Sequence, residues 1–418
     1  MIKKIFSSDL AKGSLMLFIM FNIYNFLNFV FQFSMVRMLG PAKYGILAVL
    51  MTFLYAISIP SEVVQLIVSK YSSKFNVKKE YGKIKYVTSK IISKGLKLSV
   101  LVYVLLIPVF IILSYLLKIE FVLIIFVCLM ILSIFLDPVF RGSMQGMKRF
   151  GALGINLISE ALIKVAVAIL LVYIGWGVYG AIGGIICGAI VSILIAFIPL
   201  RDIFSQKKEK ADVSKLYDYS TPIVFSLIII LIFQSIDIIL ARIFFTDVVS
   251  GEYAVANLLG KVIFFGTIAI SKAMFPIASE NFESGKKTKS VFYKSLIAVF
   301  VLCGVALAIL ALFPELIVRI LSGEQYSMTS GIIFNIGLAF TFISLSNIVL
   351  LYGISINKQI KAYHMLFFVI SQVVVLWVFS GTIYLFSIGM VISGALLFVG
   401  SWFVVSKKRK EQGSLKHK

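Results

Sequence analysis

Long apolar runs recur along this 418-residue chain and constrain its fold more than any other feature. A helix needs about 20 consecutive, mainly apolar residues to cross the hydrocarbon core of a bilayer. That window finds twelve spans, near residues 14–36, 45–69, 96–117, 121–140, 152–174, 178–200, 219–241, 253–277, 291–313, 328–351, 365–384 and 386–406. The connections are too short for a soluble catalytic domain. We therefore expect an all-α integral membrane protein.

The basic residues are distributed unevenly between the two sides of these spans. If both termini lie on one side, that side receives 32 of the 40 lysines and arginines, and the other side receives five. Basic connections are retained in the cytoplasm, so we expect a multi-pass protein of the cell (cytoplasmic or inner) membrane with both termini cytoplasmic. The net charge of +22 is then explained by topology and by contacts with membrane lipids. It predicts no nucleic-acid partner.

The sequence also indicates two related halves of six spans each. The first and seventh spans end in glutamine and then arginine, and the fourth and tenth are followed by glycine-containing basic turns. A repeat of six spans keeps the same direction through the membrane and predicts two lobes around a central cavity. The expected divisions are an N-terminal lobe at 1–200, a cytoplasmic linker at 201–218, a C-terminal lobe at 219–406 and a basic tail at 407–418.

Polar side chains lie inside the spans and share helix faces. Because polar groups are costly in hydrocarbon, such residues mark water-filled or protein-lined pathways. The candidates for a substrate cavity are Asn25, Asn28, Gln32, Gln65, Lys164, Gln234, Asn257 and Lys261. Buried carboxylates can accept a proton or Na⁺, so the candidates for ion coupling are Glu62, Glu160 and Asp237. Glu160 and Lys164 are four residues apart on one helix and are expected to pair.

Three short segments carry a resemblance to a known family. RMLGPAKYG at 37–45, SMQGMKRF at 143–150 and GEYAVANLL at 251–259 resemble the turns and helix openings of the polysaccharide-biosynthesis oligosaccharide flippases. That family belongs to the multidrug/oligosaccharidyl-lipid/polysaccharide exporter superfamily. The physical interpretation of the turns is structural first. Gly40 permits a tight turn, Pro41 stops a helix, and Tyr44 is expected to anchor at the membrane interface.

The resemblance implies a fold and a function. The implied fold has two six-helix lobes that form a V-shaped cavity and open alternately to either side. The implied cargo is an oligosaccharide repeat unit on an undecaprenyl-pyrophosphate carrier, moved from the inner to the outer leaflet for cell-surface polysaccharide assembly. Coupling to H⁺ or Na⁺ is expected, with a polysaccharide polymerase and glycosyl transferases as further partners. A lysine suits the pyrophosphate as a mobile point charge.

Two other functions are weighed against this one. A multidrug antiporter for organic cations would share the fold, but its cavity would favour acidic and aromatic groups over lysines. A membrane glycosyl transferase or polymerase would place acids or histidines in a sizeable outer loop, whereas the outer loops are short and His364 and His417 fall on the cytoplasmic side. The sequence contains no metal-ligand motif and no cofactor motif. We therefore expect a transporter and not an enzyme.

Overall fold

The computed structural model describes residues 9–211, 232–356 and 362–406. Residue contacts separate the chain into two compact units, Met1–Leu231 and Ile232–Lys418. The division falls beyond the predicted linker at 201–218, of which residues 212–218 lie outside the described residues. The predicted basic tail at 407–418 also lies outside them.

The described part of the first unit consists of helices joined by short turns. Its helices are α1 (Asp9–Val77), α2 (Tyr81–Leu117), α3 (Phe121–Cys128), α4 (Asp137–Gly146), α5 (Phe150–Leu171), α6 (Gly177–Ala196) and α7 (Arg201–Phe204). A 3₁₀ segment, Leu129–Phe135, connects α3 to α4, and a π turn, Val172–Trp176, connects α5 to α6. The fourth and fifth predicted spans correspond to α3–α4 and α5.

Helix α1 is two helices joined at one glycine. Gly40 has a φ of 71°, a conformation that residues with a Cβ rarely adopt, and the following Pro41 is compatible with a helix start. The two arms of α1 match the first and second predicted spans. Tyr44 does not anchor at the interface as predicted, because its side chain is only 2% exposed and its hydroxyl lies 3.4 Å from Oε1 of Gln32.

The described part of the second unit is also helical. Its helices are α8 (Ile236–Phe244), α9 (Asp247–Glu283), α10 (Lys289–Leu312), α11 (Pro314–Leu321), α12 (Thr329–Ser355), α13 (Ala362–Val378) and α14 (Ile383–Ser406). The seventh predicted span, 219–241, is not one continuous helix. Gln234 and Ser235 form a turn immediately before α8, and residues 219–231 lie outside the described residues.

Eight helical segments of the described residues are long and apolar enough to cross a membrane. Two of them, Ile19–Tyr55 and Phe150–Ala196, contain glycine turns and each include parts of two predicted spans. The chain is therefore a multi-pass membrane protein. The count of twelve spans stays a prediction, since the seventh lies partly outside the described residues.

Candidate functional site

Glycines of the 143–150 segment and its surroundings bring α4 against the second arm of α1. A Cβ on Gly142 would lie 2.6 Å from the carbonyl oxygen of Gln65, and one on Gly146 would collide with the carbonyl of Ser69. Beside this contact, Nε2 of Gln65 donates to Oε1 of Gln145 at 3.0 Å. The face of the second span that carries Gln65 and Ser69 therefore packs against α4, because small residues allow membrane helices to approach each other closely.

A second glycine seam joins α5 to α6. A Cβ on Gly184 would lie 2.7 Å from the carbonyl oxygen of Lys164, and one on Gly188 would lie 2.7 Å from that of Glu160. Gly184, Gly188 and Ser192 recur every four residues and so share one face of α6. The close approach of the backbones places the polar face of α5 directly beside Ser192.

Arg141 is the centre of a polar cluster in the first unit. Its Nε donates to Oδ1 of Asn156 at 3.0 Å, and one terminal nitrogen donates to Oγ of Ser192 at 3.0 Å and forms an ion pair with Glu160. Ser192 in turn donates to Oδ1 of Asp137 at 2.8 Å. Helices α4, α5 and α6 thus share one connected network of ionisable and neutral groups, which we call the Arg141 cluster (Asp137, Arg141, Asn156, Glu160 and Ser192).

The predicted pairing of Glu160 with Lys164 is wrong. Glu160 pairs with Arg141, whose long guanidinium side chain reaches it from α4. Lys164 instead donates to Oδ1 of Asn28 on α1, and its ammonium lies 5.2 Å from the centre of the Phe31 ring. Glu160 therefore connects α5 to α4, and Lys164 connects α5 to α1, because each side chain has a partner on a neighbouring helix.

The other candidates in the first unit differ in exposure. Asn25 and Glu62 are exposed on the unit's surface, while Asn28, Gln32 and Gln65 are half-buried. Lys164 is buried, with 7% of its surface exposed. An exposed carboxylate within an apolar span is costly in hydrocarbon, so Glu62 stays a candidate for a position beside water.

Asp237 is the centre of the polar cluster in the second unit. It is fully buried, and its Oδ2 accepts hydrogen bonds from the Tyr253 hydroxyl at 2.7 Å and from Nδ2 of Asn257 at 2.5 Å. Both donors belong to the 251–259 segment of α9. The second oxygen of Asp237 and Oδ1 of Asn257 are buried and have no hydrogen-bond partner among the residues that the structure describes. Two acceptor oxygens are thus free in the Asp237 cluster (Asp237, Tyr253, Asn257).

A break in the backbone adjoins this cluster. Helix α8 has nine residues and is therefore about 14 Å long, which is about half the length needed to cross the hydrocarbon core of a bilayer. A helix interrupted within a bilayer must satisfy its freed carbonyls inside the protein. Nε2 of the buried Gln372 on α13 donates to the carbonyl of Phe233 at 3.0 Å, while Oε1 of Gln372 has no hydrogen-bond partner within the described part of the chain. Interrupted helices commonly form substrate and ion sites in transporters.

Lys261 and Gln234 complete the candidates of the second unit. Both are half-buried. Lys261 lies two turns along α9 from Tyr253 and interacts electrostatically with Asp237, although no direct hydrogen bond or ion pair to Lys261 is seen in the described part of the chain. Asn257 is fully buried against Asp237 and is not on the unit's surface.

The candidate residues predicted from the sequence did not include Arg141 and Ser192 of the Arg141 cluster, nor Gln372 beside the Asp237 cluster. Arg141 follows Asp137 by one helical turn, and that spacing indicates a shared face. Gln372 stands alone among apolar residues of its span and is a signal that could have been used. Ser192 gave no usable signal, because serines often bond their own helix backbone.

Comparisons with known proteins agree with this architecture. A solved multidrug resistance MATE family transporter of the MOP superfamily, inward-facing, gives a TM-score of 0.72 at 14% identity and covers 92% of this chain and 93% of its own. The lipid II flippase MurJ, in its inward closed conformation, gives 0.68 at 13% identity over 94% of this chain and 88% of its own. At these identities the likeness shows the fold alone, and it confirms the predicted exporter-like helical fold.

The sequence itself identifies the family. No curated protein matches the chain. The family described as polysaccharide biosynthesis protein, however, matches residues 10–282, which is well over half of the sequence and includes all three segments that carry the resemblance. This chain therefore belongs to the polysaccharide biosynthesis protein family.

Proposed function

We propose that this protein flips undecaprenyl-pyrophosphate-linked oligosaccharide repeat units from the inner to the outer leaflet for cell-surface polysaccharide assembly. Transport occurs by alternating access and is coupled to H⁺ or Na⁺. Membership of the polysaccharide biosynthesis family is the observation that carries this proposal. The fold shared with MurJ supports it, because that protein is described as a lipid II flippase.

Lys261 is the group assigned to the pyrophosphate. A lysine without an ion-pair partner is costly inside a membrane protein and is expected to serve an anionic ligand or a water-filled path. In the described residues Lys261 has neither a hydrogen bond nor an ion pair. Lys164, held on the Phe31 ring and by Asn28, is the second cationic group. The neutral candidates Asn25, Gln32, Gln65 and Gln234 are suited to sugar hydroxyls.

The Asp237 cluster is the proposed site of ion coupling. A carboxylate oxygen and an amide oxygen without partners are the ligands that a small hard cation prefers, and a proton on Asp237 would satisfy the same carboxylate. Binding of either ion would neutralise the buried negative charge of the Asp237 carboxylate. Glu62, exposed on the first unit, is a further candidate for coupling.

The cellular setting follows from the same proposal. The protein lies in the cell (cytoplasmic or inner) membrane with both termini cytoplasmic, where the basic connections contact anionic lipids. A polysaccharide polymerase and glycosyl transferases are its proposed partners, and nucleic acid is not. No cofactor is required.

An organic-cation exporter is the second candidate function. A solved multidrug transporter shares the fold, and both units contain carboxylates that could attract cations. Lys261, with no direct acidic partner in the described residues, disfavours this candidate because it would repel a cationic drug. A membrane glycosyl transferase or polymerase is a weaker alternative, since the two solved structures compared above are described as a transporter and a flippase.

The decisive experiment compares single variants in the source cell after deletion of the native gene. Lys261→Ala should reach the membrane but fail to restore surface polysaccharide, and lipid-linked repeat units should accumulate in the inner leaflet. Lys286→Ala, an exposed lysine after α9, should restore export. Normal surface polysaccharide in the deletion strain would reject the proposal. Increased sensitivity of that strain to organic cations would favour the drug exporter.

A further inference from the structure

Helix α11 lies between α10 and α12, outside the predicted spans, and the backbone defines both of its ends. Phe313 leaves the helical conformation, with a ψ of 46°, and Pro314, which lacks an N–H, takes the first position of the new helix. At the other end Gly323 has a φ of 98°, and its N–H donates to the carbonyl of Val318 at 3.2 Å. Helix α11 is therefore a separate two-turn helix and not the frayed end of α10.

The side chains of α11 sort into three faces. Val318 is only 3% exposed and lies in the interior of the second unit. Leu316 and Ile320, one helical turn apart, are 52% and 56% exposed. Glu315 and Arg319, also one turn apart, are exposed about 100° around the helix from that pair. A helix with one buried face, one open apolar face and one open charged face suits the boundary between membrane and water.

The position of α11 relative to the membrane follows from α10. Helix α10 begins at Lys289, is about 36 Å long and is apolar enough to cross a membrane. Helix α11 follows its far end and so lies at the surface opposite to Lys289, which is the outer surface in the proposed topology. Towards this end α10 has one exposed apolar face, formed by Leu302, Val305, Ile309 and Leu312. The exposed Phe313 continues this lipid-facing surface to α11.

The equivalent connection of the first unit is a tight turn. In the predicted six-span repeat, the connection between the third and fourth spans corresponds to that between the ninth and tenth. The first of these consists of residues 118–120, three in number, between α2 and α3. The second consists of residues 313–328, sixteen in number, between α10 and α12. Joining two neighbouring helices does not require the longer connection, so we expect α11 to have a role of its own.

We propose that α11 lies in the outer membrane interface, where its open apolar face, Leu316 and Ile320, contacts lipid and anchors the second unit in the outer leaflet. Glu315 and Arg319 then lie towards the headgroups and water. A stable protein–protein interface takes about 20–30 residues from each partner, and the apolar face of α11 is far smaller. Lipid also covers the adjoining face of α10, so the two surfaces are continuous. This role goes beyond the proposed function, because it does not depend on the substrate that is transported.

The test measures the depth of single tryptophans in the full-length protein in bilayers. Trp176, Trp377 and Trp402 are first changed to phenylalanine. Leu316→Trp is then compared in lipids that carry bromine, a contact quencher, either near the top or near the end of the acyl chain. Because an interfacial helix is buried about 5–10 Å into the boundary of headgroups and acyl chains, Leu316→Trp should lose more fluorescence to the shallow bromine. Ile320→Trp, one turn further on, should behave in the same way and replaces it if Leu316→Trp does not fold.

Two control positions define the limits of the measurement. Glu324→Trp, at an exposed position that pairs with Arg319 beyond the end of α11, should emit as tryptophan in water does and resist both lipids. Val301→Trp, exposed near the middle of α10, should be quenched most by the deep bromine. The proposal is overturned if the tryptophans at 316 and 320 behave as the one at 324, which would leave the face to a partner protein, or as the one at 301. Surface polysaccharide in the Lys261→Ala strain decides the proposed function separately.

Discussion

Individual buried polar residues of this protein fall into two groups, those with complete hydrogen bonding and those with free acceptors. Glu252 belongs to the first group, because it accepts from the backbone N–H and from the hydroxyl of Thr329. Asp237 and Asn257 belong to the second, with one oxygen each that has no partner among the residues described. A free buried acceptor is costly to stability unless a ligand uses it. The first group is therefore expected to govern stability and the second transport.

Glu252→Ala tests the stability side of this distinction. The substitution leaves the backbone N–H of Thr329 at the start of α12 without its side-chain acceptor, and an unsatisfied buried donor costs about 1–3 kcal/mol. The Thr329 hydroxyl keeps the backbone carbonyl of residue 252 as an acceptor, at 3.1 Å. The melting temperature of the purified protein in detergent should fall clearly. Glu324→Ala removes an exposed ion pair with Arg319 and should leave it nearly unchanged. Equal melting temperatures for the two variants would contradict the assignment.

At the scale of helices, close glycine contacts set the positions of the polar clusters. The α5–α6 seam fixes Ser192 beside Asn156, whose Nδ2 donates to the carbonyl of Ser192 at 2.7 Å. Packing of this kind depends on backbones that approach closely, and a single methyl group interferes with it. The clusters therefore depend on residues that carry no polar group themselves.

Gly184→Val should disrupt the α5–α6 seam. Its Cβ would lie 2.6 Å from that of Ala168, and overpacking of a core costs about 1–3 kcal/mol. The expected result is a lower melting temperature and reduced yield of folded protein, read by size-exclusion chromatography. Gly304→Val is the matched control on α10, since a Cβ there meets nothing within 4 Å. Equal melting temperatures and equal yields of folded protein for Gly184→Val and Gly304→Val would contradict this role of the seam.

The start of the predicted linker is attached to the first unit by ion pairs. Arg149 forms a two-point ion pair with Asp202, and Nζ of Lys85 donates to the carbonyl of Gln206 at 2.7 Å. The hydrogen bond from Arg149 lowers the pKa of Asp202 below its ordinary value. Because the folded-state pKa is depressed, the stabilisation is present above the unfolded pKa of about 4 and is lost as pH falls through the folded value.

Asp202→Asn should loosen this attachment at neutral pH. Hydrogen exchange of residues 201–206, followed by mass spectrometry in nanodiscs, should be faster in the variant than in the wild type at pH 7. The difference between the two proteins should shrink only as the pH falls below about 4 and then through the lowered pKa of Asp202, where the wild-type carboxyl becomes protonated. A difference that is independent of pH would show that the ion pair does not hold the linker.

Helix positions could be predicted from the sequence much better than the partners of polar residues. Apolar length and glycine turns located the helices, including the break at Gly40, because these signals are local. The partners of Glu160 and Lys164 were predicted wrongly, because they lie on α4 and α1 and depend on how the helices pack. The turn before α8 was missed, since Gln234 and Ser235 are compatible with a continuous helix.

For the molecule as a whole, family membership and the membrane-spanning helices lead to one central claim. We propose that the exposed and half-buried polar residues inside the spans, Glu62 and Lys261 among them, contact water along a transport path and not hydrocarbon. Charged side chains in hydrocarbon would cost several kilocalories each, so the claim follows from their presence as well as from the family. The direction of transport and the identity of the coupling ion follow only if this claim holds.

Thiol labelling in intact membranes tests this claim most directly. Single cysteines replace Glu62 and Lys261 in a background in which Cys128, Cys187 and Cys303 are changed to serine. A membrane-impermeant reagent should label both positions from at least one side. Leu105→Cys is the control: its position on α2 is 65% exposed but apolar, and it should resist the reagent from either side. Failure of both 62 and 261 to react from both sides, as at 105, would contradict the water-filled path.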